Sequence, residues 1–200
     1  EGDQVIPFLE GNVGPGERTF LIAVNKQTGE TVWQHDEPGG KFGEKNSDWI
    51  GSWTTPIVIH VNGRDELVMS FPQRACAFDP KTGRELWTSR GLGNLVYTSP
   101  AYGDGVLVTM GGFGGPFMAL KPGGDGDVTE THRLWQFPRS KQRIGSSVIA
   151  GGHIYILDDP GVAECIELQT GKVVWERRLD GPGNNSTSWS SMVLSEGKLY

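Results

Sequence analysis

Residues 23–33 read AVNKQTGETVW, residues 77–87 read AFDPKTGRELW and residues 165–175 read CIELQTGKVVW. Each stretch starts with a small residue ten positions before a tryptophan, and the shared form is A-x-[DN]-x-x-T-G-x-x-x-W. A further copy starts at Ala119 and reaches Trp135 sixteen positions later, because the segment GGDGDVTETHR lengthens its turn. The successive tryptophans are 54, 48 and 40 residues apart, which matches the size of a four-stranded propeller blade.

A second element alternates with the first along the chain. It reads WTTPIVI from Trp53, YTSPAYGDGVLV from Tyr97, GSSVIAGGHIYI from Gly145 and WSSMVLSEGKLY from Trp189. Short runs of β-branched and aromatic residues between glycine turns predict four strands in each unit. No stretch keeps the 3.6-residue apolar period of a helix over a dozen positions. The predicted fold class is therefore all-β, a β-propeller of four-stranded antiparallel blades.

The second unit gives the expected strand pattern in detail. Asn62-Gly63 marks one turn and residues 80–83 mark another, since glycine accepts the positive φ that other residues resist. The four strands of this unit are predicted at 52–60, 66–71, 74–79 and 84–88.

The repeats divide the chain into units of unequal completeness. We expect one propeller segment over residues 1–200, made of a partial blade, three whole blades and the start of another. Their predicted bounds are 1–36, 52–90, 97–139, 145–180 and 188–200. Propellers close on themselves with four to eight blades, and an open arc would expose a sheet face at each end. We therefore expect a partial arc of a larger, eight-bladed propeller.

Composition narrows the function classes. The chain has 24 acidic and 18 basic side chains, and its net charge of −6 argues against a nucleic-acid partner. No apolar run approaches the roughly 20 residues of a membrane-spanning helix. Cys76 and Cys165 fall two blades apart and on opposite sheet faces when the repeats are aligned, so both are predicted to be free thiols.

The repeated positions have a structural explanation. A tryptophan at the end of the outermost strand can pack between blades and donate its indole N–H to a backbone carbonyl of the next blade. The expected docking residues are Trp33, Trp87, Trp135 and Trp175, with the turn glycines Gly29, Gly83 and Gly171. We also expect Ala23, Ala77 and Ala119 to be small because the neighbouring blade's tryptophan needs room there.

This signature, with its flanking S-P-A and G-D-G-V-L-V elements, resembles the repeat of the pyrroloquinoline-quinone-like (PQQ-like) β-propeller family, and the resemblance covers nearly the whole chain. That superfamily includes quinoprotein alcohol and sugar dehydrogenases, and also cofactor-free propellers such as the outer-membrane assembly lipoprotein. The dehydrogenase branch implies adjacent cysteines and a Glu, Asn and Asp set that holds calcium. The sequence has no Cys-Cys pair and no C-x-x-C-H motif, so no catalytic residue is carried over.

The sequence gives little support for a metal site or a catalytic nucleophile. His35, His60, His132 and His153 lack metal-ligand spacing, so no metal site is predicted from them. Asp125, Asp127 and Glu130 in the lengthened turn have part of a calcium-loop pattern, but a solvated acidic turn is the favoured interpretation. The paired serines at 146–147 and 190–191 recur in register, which indicates sheet residues and not nucleophiles.

Propeller topology predicts where a ligand would bind. The loops between successive blades and the loops between the second and third strands of each blade emerge on one face, opposite the T-G turns. The best candidates on this loop face are Trp53, Arg74, Tyr97, Arg143 and Trp189. The same face collects Asp48, Trp49, Gln73, Arg90, Asn94, Phe113, Asp159, Asn184 and Asn185. Aromatic walls with arginines and amides suit a planar anion, an oligosaccharide or a peptide, although these residues also suit simple solvation of long loops.

The sequence interpretation is a non-catalytic PQQ-like repeat propeller that acts as a protein-interaction or ligand-binding scaffold in the cell envelope. By resemblance we expect a periplasmic or secreted location and protein or peptide partners. The alternative is a fragment of a PQQ- and calcium-dependent alcohol or sugar dehydrogenase, for which the quinone with calcium would be the cofactor. A third alternative is a carbohydrate-recognition propeller that uses Trp49, Trp53 and Trp189.

Overall fold

The computed structural model describes residues 4–5, 8–9, 19–37, 51–138, 141, 144–159, 161–180 and 189–200, and every regular element in this part of the chain is a β-strand. These ranges contain no helix long and apolar enough to cross a membrane. The all-β prediction is confirmed.

The first two blades contain nine of the strands. Blade 1 consists of β1 (Gln4–Val5), β2 (Phe8–Leu9), β3 (Thr19–Asn25) and β4 (Thr31–Glu37). Blade 2 is entered through β5 (Gly51–Ser52) and consists of β6 (Ile57–Val61), β7 (Arg64–Phe71), β8 (Arg74–Phe78) and β9 (Glu85–Arg90). In blade 1, β1 and β2 both pair with β3, which pairs with β4 on its other side.

The remaining strands continue the pattern. Blade 3 is entered through β10 (Leu95–Val96) and consists of β11 (Thr98–Gly103), β12 (Val106–Met110), β13 (Phe117–Leu120) and β15 (Arg133–Phe137), with β14 (Gly126–Asp127) between the last two in the chain. Blade 4 consists of β16 (Val148–Ala150), β17 (His153–Asp158), β18 (Val162–Glu167) and β19 (Val173–Arg178). A final hairpin, β20 (Leu194–Ser195) and β21 (Lys198–Leu199), starts blade 5.

Blades 2, 3 and 4 are antiparallel meanders, each with a tight turn between its first two strands. Asn62, Asp104 and Gly151 have φ of 50°, 49° and 59°, and the glycine after each is also in the left-handed region. This is the geometry of a two-residue type I′ hairpin turn, which the predicted glycine turns require.

The first strand of blade 2 differs from its predicted bounds. The sequence predicted 52–60, whereas β6 spans only Ile57–Val61 and residues 53–56 lie outside the blade's ladder. The reason is that the backbone of this segment bonds to the next blade. The N–H of Trp53 donates to the carbonyl of Val96 at 2.8 Å, and β5 pairs in parallel with β10.

Apolar side chains from neighbouring blades form three cores, one at each junction. Between blades 1 and 2, Leu21, Trp33 and Phe78 belong to the same buried cluster. The junction of blades 2 and 3 buries Trp87 against Leu107, and the junction of blades 3 and 4 buries Phe117 against Ile154. Because successive side chains of a strand point to opposite faces, each middle blade contributes to two cores.

The recurring hydroxyl residues join the blades near their innermost strands. The N–H of Thr55 donates to Ser99 Oγ at 2.8 Å, that of Ser99 to Ser146 Oγ at 3.0 Å, and that of Ser146 to Ser191 Oγ at 3.1 Å. We call Thr55, Ser99, Ser146 and Ser191 the hydroxyl ladder. The paired serines at 146–147 and 190–191 were predicted to be sheet residues, but they lie outside the strands, and Ser146 and Ser191 join neighbouring blades instead.

The lengthened turn of blade 3 is more than the solvated acidic turn that the sequence indicated. Its residues Gly126 and Asp127 form β14, which pairs in parallel with Trp87 and Thr88 on the outer edge of blade 2. Val128 follows and is 2% exposed, packed in the core that contains Trp87. An apolar residue in the middle of a polar segment lets the insertion cover the edge strand of the neighbouring blade.

Candidate functional site

Three aromatic side chains form a row on the loop face. The rings of Trp53 and Tyr97 are stacked, with centroids 4.7 Å apart and planes 3° apart, and Phe113 meets Tyr97 edge-on at 4.7 Å. Trp53 and Phe113 are 44% and 46% exposed. We call Trp53, Tyr97 and Phe113 the aromatic row. Two of its members were predicted as candidates, and the structure brings them into direct contact.

A cavity of about 570 Å³ opens among the same set of loops. The Gln73 side chain donates from Nε2 to Asn94 Oδ1 at 3.0 Å, so two amides lie side by side in its lining. Arg90 contributes a side chain that is 75% exposed and lies 3.5 Å from Asp127. The cavity is lined by Pro72, Gln73, Arg74, Thr88, Arg90, Gly91, Leu92 and Asn94.

Backbone hydrogen bonds fix the loops that carry these side chains. The N–H of Gln73 donates to the carbonyl of Gly93, and the N–H groups of Gly91 and Leu92 donate to the carbonyl of Gln73. The N–H of Gly51 donates to the carbonyl of Asn94. The row and the amide pair are therefore held by loops from blades 2 and 3 and the entry to each.

Two residues of this region have backbone conformations that cost free energy. Gln73 has φ of 69° and Phe113 has φ of 44°, and each lies in the loop between the second and third strands of its blade. Gln73 is in the two-residue hairpin turn between the paired Phe71 and Arg74, whereas Phe113 is in a longer loop. The other non-glycine residues with positive φ in the described ranges, Asn62, Asp104 and Glu196, are also in hairpin turns. A non-glycine residue at positive φ is disfavoured by about 1–2 kcal/mol.

Arg74, a predicted ligand-binding candidate, is an ion-pair residue between blades. Its Nε and Nη2 donate to the Glu37 carboxylate of blade 1 at 2.8–3.1 Å, and its Nη1 donates to both oxygens of Glu85 at 3.1 Å. Each of the three guanidinium nitrogens thus has a carboxylate or hydroxyl partner within the protein. Arg74 lines the cavity, but its nitrogens are already engaged in these bonds.

Burial and the charges around Arg74 shift two neighbouring ionisations. Burial would raise the pKa of Glu37, but the His35 ring, whose Nε2 lies 3.4 Å from Oε2, and the hydrogen-bonded Arg74 guanidinium outweigh that effect and hold the pKa below its ordinary value. Burial raises the pKa of the Cys76 thiol well above its ordinary value. Cys76 is therefore protonated at neutral pH, and the prediction that Cys76 and Cys165 are free thiols is confirmed.

The other predicted candidates lie apart from this cluster. Trp189 is 64% exposed at the entry to blade 5, and no ring contact joins it to the aromatic row in the described ranges. Arg143 lies outside the described residues, as do Asp48, Trp49, Asn184 and Asn185. No group of three or more potential metal ligands occurs in the part of the chain that the structure describes.

The predicted docking residues fall into distinct environments. Trp33 donates from Nε1 to the carbonyl of Pro80 in blade 2, and Trp135 donates to that of Leu168 in blade 4, both at 2.9 Å. Trp87 differs from the prediction because its Nε1 donates to Glu66 of its own blade at 2.8 Å. The lengthened turn of blade 3 accounts for this difference, since β14 and Val128 cover the ring where the next blade's short turn would lie. Trp175 is 41% exposed.

The turn glycines provide room for the neighbouring tryptophan. A Cβ on Gly83 would lie 2.5 Å from Trp33, and one on Gly171 would lie 2.9 Å from Trp135. Ala23 is instead paired in register with Trp33 of its own blade. No atom of the described residues lies within 4 Å of the corresponding position on Gly29.

Sequence reasoning missed two features of this region. Glu37 was not singled out because it lies outside the repeated motif, and its only signal was a carboxylate at the end of a strand. The pairing of Gln73 with Asn94 joins residues 21 positions apart, so no local spacing could indicate it.

Comparison with known proteins extends these observations. The model of the family described as outer membrane protein assembly factor BamB matches residues 17–200. No curated protein matches the chain.

Solved structures with the same fold include BamB from Moraxella catarrhalis, which is 15% identical and has a TM-score of 0.62 over 88% of this chain and 49% of that one. Quinohemoprotein alcohol dehydrogenase from Comamonas testosteroni is 16% identical, with a TM-score of 0.61 over 97% of this chain and 37% of that one. The computationally designed Ika8 protein is 10% identical, with a TM-score of 0.60 over all of this chain and 52% of that one. The chain thus spans between about a third and a half of the length of these proteins.

Proposed function

Because this chain belongs to the PQQ-like propeller family described as outer membrane protein assembly factor BamB, we propose that it is a non-catalytic scaffold that binds other proteins of the cell envelope through its loop face. The observation that carries this proposal is the aromatic row, with Trp53 and Phe113 about half exposed on a rigid framework. Large aromatic side chains on a fixed backbone are the residues that contribute most to protein interfaces.

The ion pairs of the loop face also support a scaffold role. Arg74 connects Glu37 of blade 1 to Glu85 of blade 2, and Lys141 contacts Glu164 of blade 4 at 2.7 Å. These charged groups bind one another across and within blades. They give the loop face a fixed shape, which lowers the entropy that a binding surface loses on association.

Site-specific photo-crosslinking in intact cells tests the proposal. A photoreactive phenylalanine analogue at Phe113 should crosslink to one envelope protein, and the same analogue at Lys172, in the T-G turn on the opposite face, should not. The purified partner should then bind at least tenfold more weakly to Trp53→Ala than to the wild type. Equal crosslinking from both positions, or unchanged affinity of the variant, would contradict the proposal.

The second candidate is a quinoprotein dehydrogenase, supported by a likeness to quinohemoprotein alcohol dehydrogenase over 97% of this chain. The described residues do not fit the quinone well. A planar tricarboxylate calls for convergent arginine donors, and the guanidinium nitrogens of Arg74 are already engaged by Glu37, Glu85 and Thr88. We therefore derive no chemical step through the quinone.

A titration separates the two candidates. Pyrroloquinoline quinone is added with and without calcium while tryptophan fluorescence is followed, and dye-linked alcohol oxidation is then assayed. The scaffold proposal expects no saturable quenching at micromolar quinone. Saturable, calcium-dependent quenching with turnover would instead establish the dehydrogenase.

A further inference from the structure

We propose that the aromatic row and the adjoining cavity form a binding site for an oligosaccharide. The aromatic row would stack on the apolar face of one sugar ring, and the Gln73–Asn94 amide pair would bind the hydroxyl groups of the next. This site is additional to the proposed protein-binding function of the loop face. The saccharide proposal can therefore be wrong while the protein-binding function is correct.

The first argument concerns the exposed rings. A pyranose presents carbon-bound hydrogens on its faces and hydroxyl groups around its edge, so it packs well on an aromatic ring that is bordered by polar groups. Trp53 and Phe113, at the two ends of the row, have this setting: each is nearly half exposed, and the Tyr97 ring holds both in place at 4.7 Å.

The second argument concerns the amides. When Gln73 Nε2 donates to Asn94 Oδ1, the acceptor Gln73 Oε1 and the donor Asn94 Nδ2 are left without partners in the described part of the chain. A donor and an acceptor side by side match two adjacent hydroxyl groups of a sugar, each of which can both donate and accept. Two mutually bonded side chains also lose little rotamer freedom on binding.

The third argument is the geometry of the connecting segment. Asn94 in the cavity and Tyr97 in the aromatic row are three residues apart on a segment that contains β10. At about 3.3 Å per extended residue they are about 10 Å apart, a span that two linked sugar rings cover. The cavity of about 570 Å³ is within the range of small-ligand sites, which is about 300–1,000 Å³.

The polar lining favours a saccharide over an apolar peptide anchor. Hot-spot pockets at protein interfaces are desolvated and mostly apolar. This cavity instead combines the polar Gln73, Thr88, Arg90 and Asn94 with the apolar Pro72 and Leu92 in its lining. A ligand that carries its own hydroxyl groups replaces the hydrogen bonds of the displaced water.

The strained backbone is consistent with a binding role. Gln73 and Phe113 keep side chains at positive φ, where glycine would be free of strain. Strain of this kind persists where the surrounding structure holds a residue in place and is common at ligand sites. Here one strained residue belongs to the amide pair and the other to the aromatic row.

Isothermal titration of the full protein with soluble trisaccharides tests the proposal. The probes are maltotriose, cellotriose and chitotriose, with trigalacturonate as an acidic arm because Arg90 borders the cavity. We expect saturable binding of at least one probe, with a matching change in tryptophan fluorescence. No binding by any of the four at millimolar concentration would overturn the proposal.

Matched variants locate the site. Phe113→Gly removes a ring of the row and relieves the backbone strain, so binding should weaken at least tenfold without a loss of thermal stability. Glu196→Gly makes the same exchange at φ of 50° in the blade 5 hairpin and should leave affinity unchanged. Trp53→Ala should abolish binding, whereas Trp189→Ala removes a more exposed tryptophan outside the aromatic row and should not.

Two outcomes contradict the proposal in different ways. If a trisaccharide binds but Phe113→Gly and Trp53→Ala leave its affinity unchanged, the saccharide binds elsewhere. If none binds and both variants lose the crosslinked protein partner, the aromatic row is a protein contact, and the scaffold function stands without the saccharide site.

Discussion

Glu37 and Arg74 form a buried ion pair that joins blades 1 and 2, and its strength depends on pH. The pKa of Glu37 is lower in the folded protein than its ordinary value of 4.5, because the nearby His35 ring and the hydrogen-bonded Arg74 guanidinium outweigh burial. The ionised carboxylate therefore stabilises the fold above that ordinary value, and the contribution is lost as pH falls through the lower, folded-state pKa.

Glu37→Gln should show this dependence. At pH 7 we expect the variant to be destabilised by about 1–2 kcal/mol, because Arg74 loses one of its two carboxylate partners and keeps Glu85. The difference from the wild type should shrink as pH falls from 4.5 through the lower, folded-state pKa. Urea unfolding across this range measures it, and a difference that stays constant with pH would show that Glu37 acts through packing alone.

Gly83 and Gly29 provide a matched test of tryptophan docking. Both have positive φ, of 71° and 75°, so alanine costs about 1–2 kcal/mol of backbone strain at either position. Only at Gly83 would the added Cβ strike Trp33, at 2.5 Å. We expect Gly83→Ala to lower the free energy of unfolding by about 1–3 kcal/mol more than Gly29→Ala, because overpacking adds to strain. Equal losses of unfolding free energy in the two variants would show that this turn does not stabilise the contact between blades.

At the scale of elements, the hydroxyl ladder connects neighbouring blades at or just before their first strands, through side-chain hydroxyls and not through sheet pairing. Each step leaves a backbone N–H without an acceptor if the next hydroxyl is removed, and such a loss costs about 1–3 kcal/mol when the group is buried. The ladder runs through Thr55, Ser99, Ser146 and Ser191.

Ser146→Ala should therefore destabilise the protein by about 1–2 kcal/mol and speed hydrogen exchange at the Ser99 amide, which loses its acceptor. Ser147→Ala is the control, because Ser147 Oγ is buried and has no hydrogen-bond partner in the part of the chain described. A loss of stability as large in Ser147→Ala would show that the ladder bonds contribute no more than side-chain packing.

At the scale of the whole molecule, each blade packs only against its neighbours, so stability is expected to vary along the arc as in other repeat proteins. Cys76 lies in the core between blades 1 and 2 and is fully buried. Cys165 lies in blade 4 and is paired in register with Trp175, which is 41% exposed.

The two thiols should thus report local opening in blades 2 and 4 separately. In the chain of residues 1–200, we expect a thiol reagent in subdenaturing urea to modify Cys165 before Cys76, measured with the single variants Cys76→Ala and Cys165→Ala. Simultaneous modification would indicate that the whole arc opens as one cooperative unit.

The sequence by itself determined the fold class and the family, because each blade repeats the same local turn and strand chemistry. The spacing of Trp33, Trp87, Trp135 and Trp175, the Asn62-Gly63 type of turn and the alternation of apolar residues are all short-range signals. Propeller topology was enough to predict which face carries the ligand-binding loops. Two members of the aromatic row, Trp53 and Tyr97, were among the predicted candidates.

Only the tertiary structure decided which of those candidates are available to a ligand. Arg74 is engaged by Glu37, 37 positions earlier, and the Trp87 indole turned to Glu66 because an insertion 40 residues later covers it. Contacts of this kind depend on how whole blades pack. No local pattern records them, because the partner's position in the chain is set by the length of the intervening blade and not by residue type.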